Sequence, residues 1–325
     1  MAARSVTTII VNWKTPALSI EAARSVLATT PEGTAQRVLV VDNASDDNSL
    51  DALAACDLPI EVVANDVNRG FAAANNQGCS LAESDYVLLL NSDARLEPGA
   101  LEALLARMDR SPGAGAVGSR LVYGDGRFQR WTAGREPALA PAAVYLLGLD
   151  RLGGLATSGL YLGRDVTQAF RPDWVSAACM LCRRAALFEV GLMDERYFYM
   201  EDVDLCRRLR SAGYEIWYEP SAVAVHLMGS STQQIGRRAD PVAVQSFNRY
   251  FAERHSAAAS AALRCIEALG FGARSAAHGL AALAGHDRAR HRLEARTHLA
   301  RMRPGHAGDR PPGRPGPSAR ELAHG

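Results

Sequence analysis

An unbroken apolar run, Tyr86-Val87-Leu88-Leu89-Leu90, gives way at once to an amide, a hydroxyl and a carboxylate in Asn91-Ser92-Asp93. A strand without polar alternation needs cover on both faces, the situation of a parallel strand in a sheet flanked by helices. In such sheets ligands gather beyond the carboxyl ends of the strands, so Asp93 falls where a ligand is expected. The pattern recurs along the N-terminal third. Val6 to Val11 ends in Asn12-Trp13-Lys14, Arg37 to Val41 ends in Asp42-Asn43-Ala44-Ser45, and Ile60 to Ala64 leads into Asn65 to Phe71.

Each run is followed by helical spacing. Pro16 opens a helix that carries Leu18, Ala22, Val26 and Leu27 on one side, Ser49 to Ala55 forms a second, and Glu97-Pro98-Gly99 starts a third over Ala100 to Met108. A further helix begins near Phe71 and runs through the amide-bearing Ala72 to Gly78. Its free N–H groups and positive dipole end would point at the strand termini, an arrangement suited to phosphate. Four strand-then-helix units before residue 110 predict a right-handed, Rossmann-like, mostly parallel α/β sheet. The first turn is Asn12-Trp13-Lys14-Thr15. It lacks the glycines of a dinucleotide fingerprint or a P-loop, so ordinary dehydrogenase and P-loop readings lose their main support.

Composition narrows the partners. The 325 residues are 48% hydrophobic, enough for a sizeable core, and 36 basic against 35 acidic side chains leave a net charge of +1. Nothing in that balance attracts nucleic acid, and any anion must be held locally. Six scattered cysteines do not make a disulfide framework, which fits a reducing cytosol. For the Cys179 and Cys182 pair, packing in a small-apolar run is preferred over metal or redox chemistry. The N-terminal apolar stretch is too short for a signal segment, and nowhere do about 18 uncharged apolar residues run together as a spanning helix needs. A cytoplasmic protein is expected.

Beyond Pro112 the pattern changes. Ala116 to Ser119 reads as a strand, Tyr123 to Val166 as a loop-rich insertion for the acceptor, Trp174 to Cys182 as another strand and Arg183 to Val190 as a short helix. Three aromatics, Tyr197, Phe198 and Tyr199, then crowd before Glu201-Asp202-Val203-Asp204, the first turn of a helix running to Ala212. Dipole complementation accounts for Asp204 and for Arg207, Arg208 and Arg210 at the far end; it leaves Glu201 and Asp202 as candidates for chemistry. Tyr214 to Tyr218 and Ala222 to Val225 are strand-like and bring in His226 with Gly229, Ser230 and Ser231. Two readings of His226 stand, a structural histidine and a contact to metal or phosphate. Pro241 to Met302 is Ala- and Arg-rich and helical in pattern. Its interrupted apolar runs fit packed amphipathic helices, with peripheral attachment to an anionic membrane surface as the second reading. Arg303 to Gly325, rich in Pro, Gly and Arg, is expected to be disordered.

Over residues 5 to 232 these elements resemble the family 2 inverting nucleotide-sugar glycosyltransferases of GT-A fold, especially the bacterial rhamnosyltransferase-like branch. The resemblance is carried by Ile10-Val11-Asn12-Trp13, Val41-Asp42-Asn43-Ala44-Ser45, Asn68-Arg69-Gly70-Phe71 with Asn75-Asn76-Gln77-Gly78, Leu90-Asn91-Ser92-Asp93, Phe188 to Glu195 and Tyr199 to Cys206. It implies a GT-A domain over 1–236, with a nucleotide-sugar half over 1–110 and an acceptor half over 111–236, then a helical extension over 237–302 and the tail. Asn12, Asp42, Asn43, Asn68, Gly70, Asn76, Asn91, Ser92 and Asp93 become the nucleotide-sugar site. Asp93, with His226, would hold a divalent metal, Mg²⁺ or Mn²⁺, and Asp202 beside Glu201 would be the catalytic base. The implied reaction moves L-rhamnose from dTDP-L-rhamnose, or a sugar from a UDP-sugar, to a glycan or lipid-linked acceptor in cell-surface polysaccharide assembly. The family's D-x-D metal motif stands here as Asn91-Ser92-Asp93, which weakens the metal set. A catalytically inactive nucleotide-sugar-binding subunit is the competing reading from a different class. A nucleotidyltransferase would need a glycine-rich basic loop that Asn12-Trp13-Lys14-Thr15 does not supply. Neither acceptor, linkage nor oligomeric state is encoded in these motifs.

Overall fold

The structure, a computed structural model, describes residues 4–227, 239–284 and 288–301. The expected tail over 303–325 and the segment bearing Gly229, Ser230 and Ser231 lie outside the described residues. Those described fall into two compact units, residues 4–133 with 165–227, and residues 134–164 with 239–284 and 288–301.

The first unit is built on an eight-stranded sheet. Its strands are β1 (Arg4–Asn12), β2 (Thr34–Asp42), β3 (Ile60–Ala64), β4 (Tyr86–Asn91), β5 (Ala94–Leu96), β6 (Ala114–Val122), β7 (Cys179–Arg183) and β8 (Glu215–His226). They lie in the order β3-β2-β1-β4-β7-β6-β8-β5. From β3 to β4 every pairing is parallel, β6 pairs β8 in parallel, and β7 and β5 run against the rest. This is the mostly parallel α/β sheet that the strand runs led one to expect. The chain passes from β1 outward through β2 to β3 and returns to the other side of β1 as β4. Strand order therefore reverses between β1 and β4, the place where open α/β sheets bind ligands.

Continuous apolar runs supply both faces of the strands. On one face Ile10, Val40, Leu88 and Leu90 pack with Ala22, Ala23 and Val26 of α1 (Pro16–Thr29); the helix over Ala100–Arg110 adds Leu101, Leu104, Leu105 and Met108. Next along the chain after α1 come α2 (Ser49–Ala54) and α3 (Phe71–Leu81), and the Ala100–Arg110 helix is α4. Ile9 faces the other way and meets α3 where a Cβ on Gly78 would stand 2.6 Å from its Cγ2. Close approach, and not a special backbone angle, fixes glycine there.

The structure corrects the element reading in four places. The stretch expected to be loop-rich contains a helix, α5 (Leu139–Leu146). The single strand expected over Trp174 to Cys182 is broken at Ser176-Ala177-Ala178, because those residues turn to meet other backbone at the sheet edge. Two strand-like runs around Pro220 form one strand, β8, with a register shift between Glu219 and Val223 that accommodates the proline. Ala94–Leu96, not foreseen as a strand, pairs with the end of β8. Short helices α6 (Arg184–Glu189) and α7 (Glu201–Ser211) complete this unit. The second unit holds α5 with α8 (Ala239–Ala252), α9 (Ala257–Leu283) and α10 (Arg288–Arg301), packed through Leu146, Leu160, Phe251, Leu263 and Phe271.

Gly118 sits in β6 with Val175 against it, where a new Cβ would stand 2.8 Å from Val175 Cγ1. Substituting Gly118→Ala in this close-packed layer is expected to destabilise the fold by about 1–3 kcal/mol, read as a lower midpoint in urea denaturation.

Candidate active site at the carboxyl edge of the sheet

Register brings the polar strand ends together. Asn12 pairs with Asp42 across β1 and β2, and Val11 with Asn91 across β1 and β4. Asn12 is wholly buried. It donates to Asp42 Oδ1 at 2.6 Å and Ser45 Oγ at 3.3 Å, while its Oδ1 accepts from Ser19 Oγ at 2.7 Å and Thr15 Oγ1 at 3.4 Å. A buried amide satisfied on both sides holds its neighbours rigidly. Asp42 is closed into its turn by Ser45 N–H at 3.0 Å, an Asx-type turn that uses the left-handed Ala44 (φ 59°). Ser92 Oγ accepts from Thr15 Oγ1 at 3.2 Å.

Asn43 fastens the next loop. Its Nδ2 donates to Asn68 Oδ1 at 2.9 Å, and its Oδ1 accepts from Arg69 N–H at 3.0 Å. Asn68 Oδ1 also takes Gly70 N–H at 2.9 Å. Gly70 has φ 86° and caps α3, whose first turn carries no side-chain cap, so N–H groups at this end of the helix are left for another acceptor. Asn76 lies further along α3 and ties the Met193 segment to it by a reciprocal pair of 2.9 Å bonds. The amides of Asn12, Asn43, Asn68 and Asn76 thus bond chiefly to protein groups.

Asn91, Asp93 and His226 form the next cluster. β8 ends at His226 opposite Ala94, so its imidazole returns beside the end of β4. Nε2 lies 3.3 Å from Asp93 Oδ1 and 3.3 Å from Asn91 Nδ2, while Nδ1 lies 3.0 Å from Gln129 Oε1. Gln129 is itself buried, and its Nε2 donates to the carbonyls of His226 and Val122, which assigns Oε1 as the acceptor and Nδ1 as the protonated nitrogen. A lone pair on Nε2 then faces a carboxylate oxygen, and Asn91 Oδ1 is buried with no hydrogen-bond partner among the described residues. A histidine whose second nitrogen is held by an acceptor is the usual form of a metal ligand. The described residues contain no group of three His, Cys, Asp or Glu side chains able to hold a metal, so a cation here would depend on ligand oxygens as well.

Glu201 and Asp202 arrive at the same edge by another route. Because β7 is antiparallel to β4, its leading residues stand at the carboxyl end of β4, and Ala178 O accepts from Asn91 N–H at 3.1 Å. Ala177 N–H in turn donates to Asp202 Oδ2 at 3.3 Å, and Val203 N–H to Asp202 Oδ1 at 2.8 Å. Tyr199 and Met200, both left-handed with φ 67° and 76°, set up the start of α7. Strain of this kind in large side chains collects where a site must be held in place. Burial pushes both carboxyls above the usual range; for Glu201 the neighbouring Asp202 charge adds to it, and for Asp202 the two N–H donors oppose it. Glu201 Oε2 is buried without a partner among the described residues. Asp204 is occupied by Arg208 at 2.7 Å, in keeping with its structural reading.

Sequence reasoning missed Gln129 and the backbone of Ala177 and Ala178. Gln129 lies in a stretch with only turn signals, whereas the Asx turn at Asp42 to Ser45 could have been read from residue types alone.

The family model for glycosyl transferase family 2 matches residues 8–187. The chain belongs to that family. It is 33% identical over 247 residues to an N-acetylglucosaminyl-diphospho-decaprenol L-rhamnosyltransferase of Mycobacterium tuberculosis, covering 67% of this chain and 75% of that protein. It is 25% identical over 177 residues to the rhamnosyltransferase WbbL of Escherichia coli K12, covering 53% of this chain and 64% of the other. Among solved structures, a mannosyltransferase of Pyrobaculum calidifontis in complex with GDP-Man and Mn²⁺ superposes with a TM-score of 0.57 at 18% identity, over 91% of this chain and 85% of its own. The fold is thus shared with GT-A enzymes, and this member of family 2 is a glycosyltransferase with a rhamnosyltransferase-like sequence.

Glu201 gives a stability test. A carboxyl with a folded pKa above its unfolded value binds more protons in the folded state, so stability falls as pH rises between the two values and stays low above the folded one. Glu201→Gln is therefore expected to match the parent in acid and to exceed it above neutral pH, by about 2–4 °C in melting temperature for a difference on the order of 1 kcal/mol. A pH-independent gap between the two melting curves would contradict this.

Proposed function

We propose that the chain transfers L-rhamnose from dTDP-L-rhamnose, with inversion, to a hydroxyl of a glycan or lipid-linked acceptor in cell-surface polysaccharide assembly. One observation carries the reading: a carboxylate-imidazole pair, Asp93 and His226, and a separate carboxyl pair, buried Glu201 and half-buried Asp202, share the edge where strand order reverses. The names of the relatives support the donor sugar, and the decaprenol-linked substrate of the mycobacterial relative supports the acceptor class.

In this reading Asp42, fixed by Asn12 and Ser45, receives the nucleoside, and the uncapped start of α3 at Gly70 receives phosphate oxygens. Asp93 and His226 Nε2, with Asn91 beside them, fit a divalent cation, Mg²⁺ or Mn²⁺; such an ion would neutralise charge on the departing diphosphate. Ser92, Asn43, Asn68 and Asn76 hold these loops in register. Asp202 accepts the proton of the acceptor hydroxyl as its oxygen bonds to the anomeric carbon, and the bond to the diphosphate breaks on the opposite side with its electron pair leaving on dTDP. Glu201, held protonated by burial, leaves Asp202 as the ionised member of the pair. Its raised pKa requires turnover to fall as pH drops through the weakly acidic range.

Nucleotide release from purified protein with dTDP-L-rhamnose, an acceptor and Mn²⁺ tests the reaction. Asp202→Asn is expected to lower it by about a hundredfold to ten-thousandfold while dTDP still raises the melting temperature. Unchanged turnover removes Asp202 as base, and stabilisation by UDP-sugars but not dTDP-sugars moves the donor to the UDP class. Nucleotide binding without turnover on any donor and acceptor panel would instead favour a binding subunit.

The histidine tautomer makes a second test. Gln129→Leu removes the acceptor that holds Nδ1–H, so Mn²⁺ affinity in the presence of dTDP should weaken by about ten- to a hundredfold. Titration by electron paramagnetic resonance reads this directly. Equal affinity in the variant would free His226 from the metal site.

A further inference from the structure

The strand ends supply amides, carboxylates and an imidazole, whereas a pyranose also has an apolar C–H side that a binding site covers with aromatic or aliphatic groups. In the displacement proposed above, the transferred sugar stands between two centres. Its diphosphate lies on the side of Asp93 and His226, and the acceptor hydroxyl lies on the side of Asp202. The apolar cover is best supplied by a segment that reaches both.

Residues 129–132 do so. β7 pairs with β6 only as far as Gly118. Beyond it, toward the carboxyl end of β6, Gln129 N–H donates to Leu121 O at 2.9 Å. Thr132 Oγ1 donates to Ser119 O at 2.7 Å and accepts from Leu121 N–H at 3.2 Å. From this position the Gln129 side chain holds His226. At the other end Thr132 O accepts from Ser176 N–H at 3.0 Å, and the next residue, Ala177, donates to Asp202. Four residues thus join the imidazole of one centre to the loop that holds the carboxylate of the other.

Trp131 lies inside this bridge and is 38% exposed, although Gln129, Thr132 and Ala133 around it are buried. A single exposed aromatic is ordinary on a folded protein, and here its position decides. Arg130–Thr132 form a 3₁₀ turn, in which each residue steps by about 120° and residues three apart share a side. Gln129 and Thr132 both turn into the fold, so the indole is carried away from β6. Its backbone, at φ −81° and ψ 29°, lies near the bridge region where many active-site residues sit. Leu227, whose N–H bonds to Asp93 O, is exposed as well. Its Cδ2 lies 3.3 Å from where a Cβ on Gly124 would be, so it leans on the turn over 123–127.

We propose that the indole of Trp131 packs on the apolar C–H side of the transferred sugar, the C6 methyl of a 6-deoxyhexose included, and so positions its anomeric carbon between the two centres. An indole offers a large, rigid apolar face and loses little conformational entropy when it is covered. The inference deepens the function proposed above and rests on it in one respect, that a sugar is transferred between these centres.

Calorimetric titration of the full-length protein, with Mn²⁺ present, tests this by comparing dTDP-L-rhamnose with dTDP, two ligands that differ by the sugar alone. In Trp131→Ala the affinity for dTDP-L-rhamnose is expected to fall about tenfold and that for dTDP to stay within about twofold of the parent. Trp131→Phe, which keeps an aromatic face, should hold the sugar nucleotide within about threefold. Circular dichroism establishes that the variants fold, and Trp131→Gln replaces the alanine variant if that one does not. Equal loss for both ligands would make the residue structural or a nucleoside contact, and no loss for either would leave the indole outside the site; each overturns the proposal. Release of dTDP with an acceptor is followed in parallel. Turnover of dTDP-L-rhamnose by the parent, with unchanged affinity in Trp131→Ala, sinks the sugar contact alone. The expected affinity pattern without turnover on any donor and acceptor panel sinks the transferase reading alone. If UDP-sugars prove to be the donors, the same pair of titrations with the UDP-sugar and UDP decides by the same criteria.

Discussion

Because β7 runs antiparallel to β4, its leading residues stand beside the last residues of β4, and the two acidic centres meet at one sheet edge for that reason. Had β7 been parallel, Ala177 and Ala178 would lie at the opposite end of the sheet and Asp202 would have no backbone link to Asn91. The chain from Asn91 N–H to Ala178 O, then from Ala177 N–H to Asp202 Oδ2, is short and made of backbone at every step but the last. Backbone bonds anchored in a sheet vary little, so Asp202, over a hundred residues distant from Asp93, is held without long side chains. Turning inward at Ser176 to Ala178 interrupts the strand, and the interruption supplies the donor to Asp202.

Polar groups at this edge are buried to an extent that only mutual hydrogen bonding allows. An unsatisfied amide in such surroundings costs about 1–3 kcal/mol. Asn12 and Asn43 avoid that cost by bridging adjacent loops, which fixes Asp42 and Gly70 in place. Asn91 Oδ1 and Glu201 Oε2 break the rule, each buried without a partner among the described residues. They stand on the two sides of the proposed chemistry, one beside the cation-ready pair and one beside the base. An atom that folding leaves unsatisfied at such a place is one that a ligand can satisfy.

The parallel half of the sheet was legible in the sequence because buried parallel strands need continuous apolar runs, and Val6 to Val11, Arg37 to Val41 and Tyr86 to Leu90 have them. Their polar ends meet at one sheet edge for the same reason. The antiparallel strands were not legible: a five-residue run such as Cys179 to Arg183 looks alike in either direction, and its direction is set by pairing with residues distant in sequence. Pro220 divided β8 on paper because a bulge depends on the partner strand. Gln129 escaped notice since its function comes from three contacts to residues in β6 and at the end of β8, none of them local. Asparagines 12, 43, 68 and 76 were read as contacts to a nucleotide sugar; the structure shows in addition that they link neighbouring loops.

The most direct measurement is anomalous scattering from crystals soaked with Mn²⁺ and dTDP. A manganese peak in contact with both Asp93 and His226 Nε2, with diphosphate density extending from it toward Gly70, is the expected result. Bound dTDP with its diphosphate elsewhere than this edge, or manganese bound only at other side chains, would contradict the account.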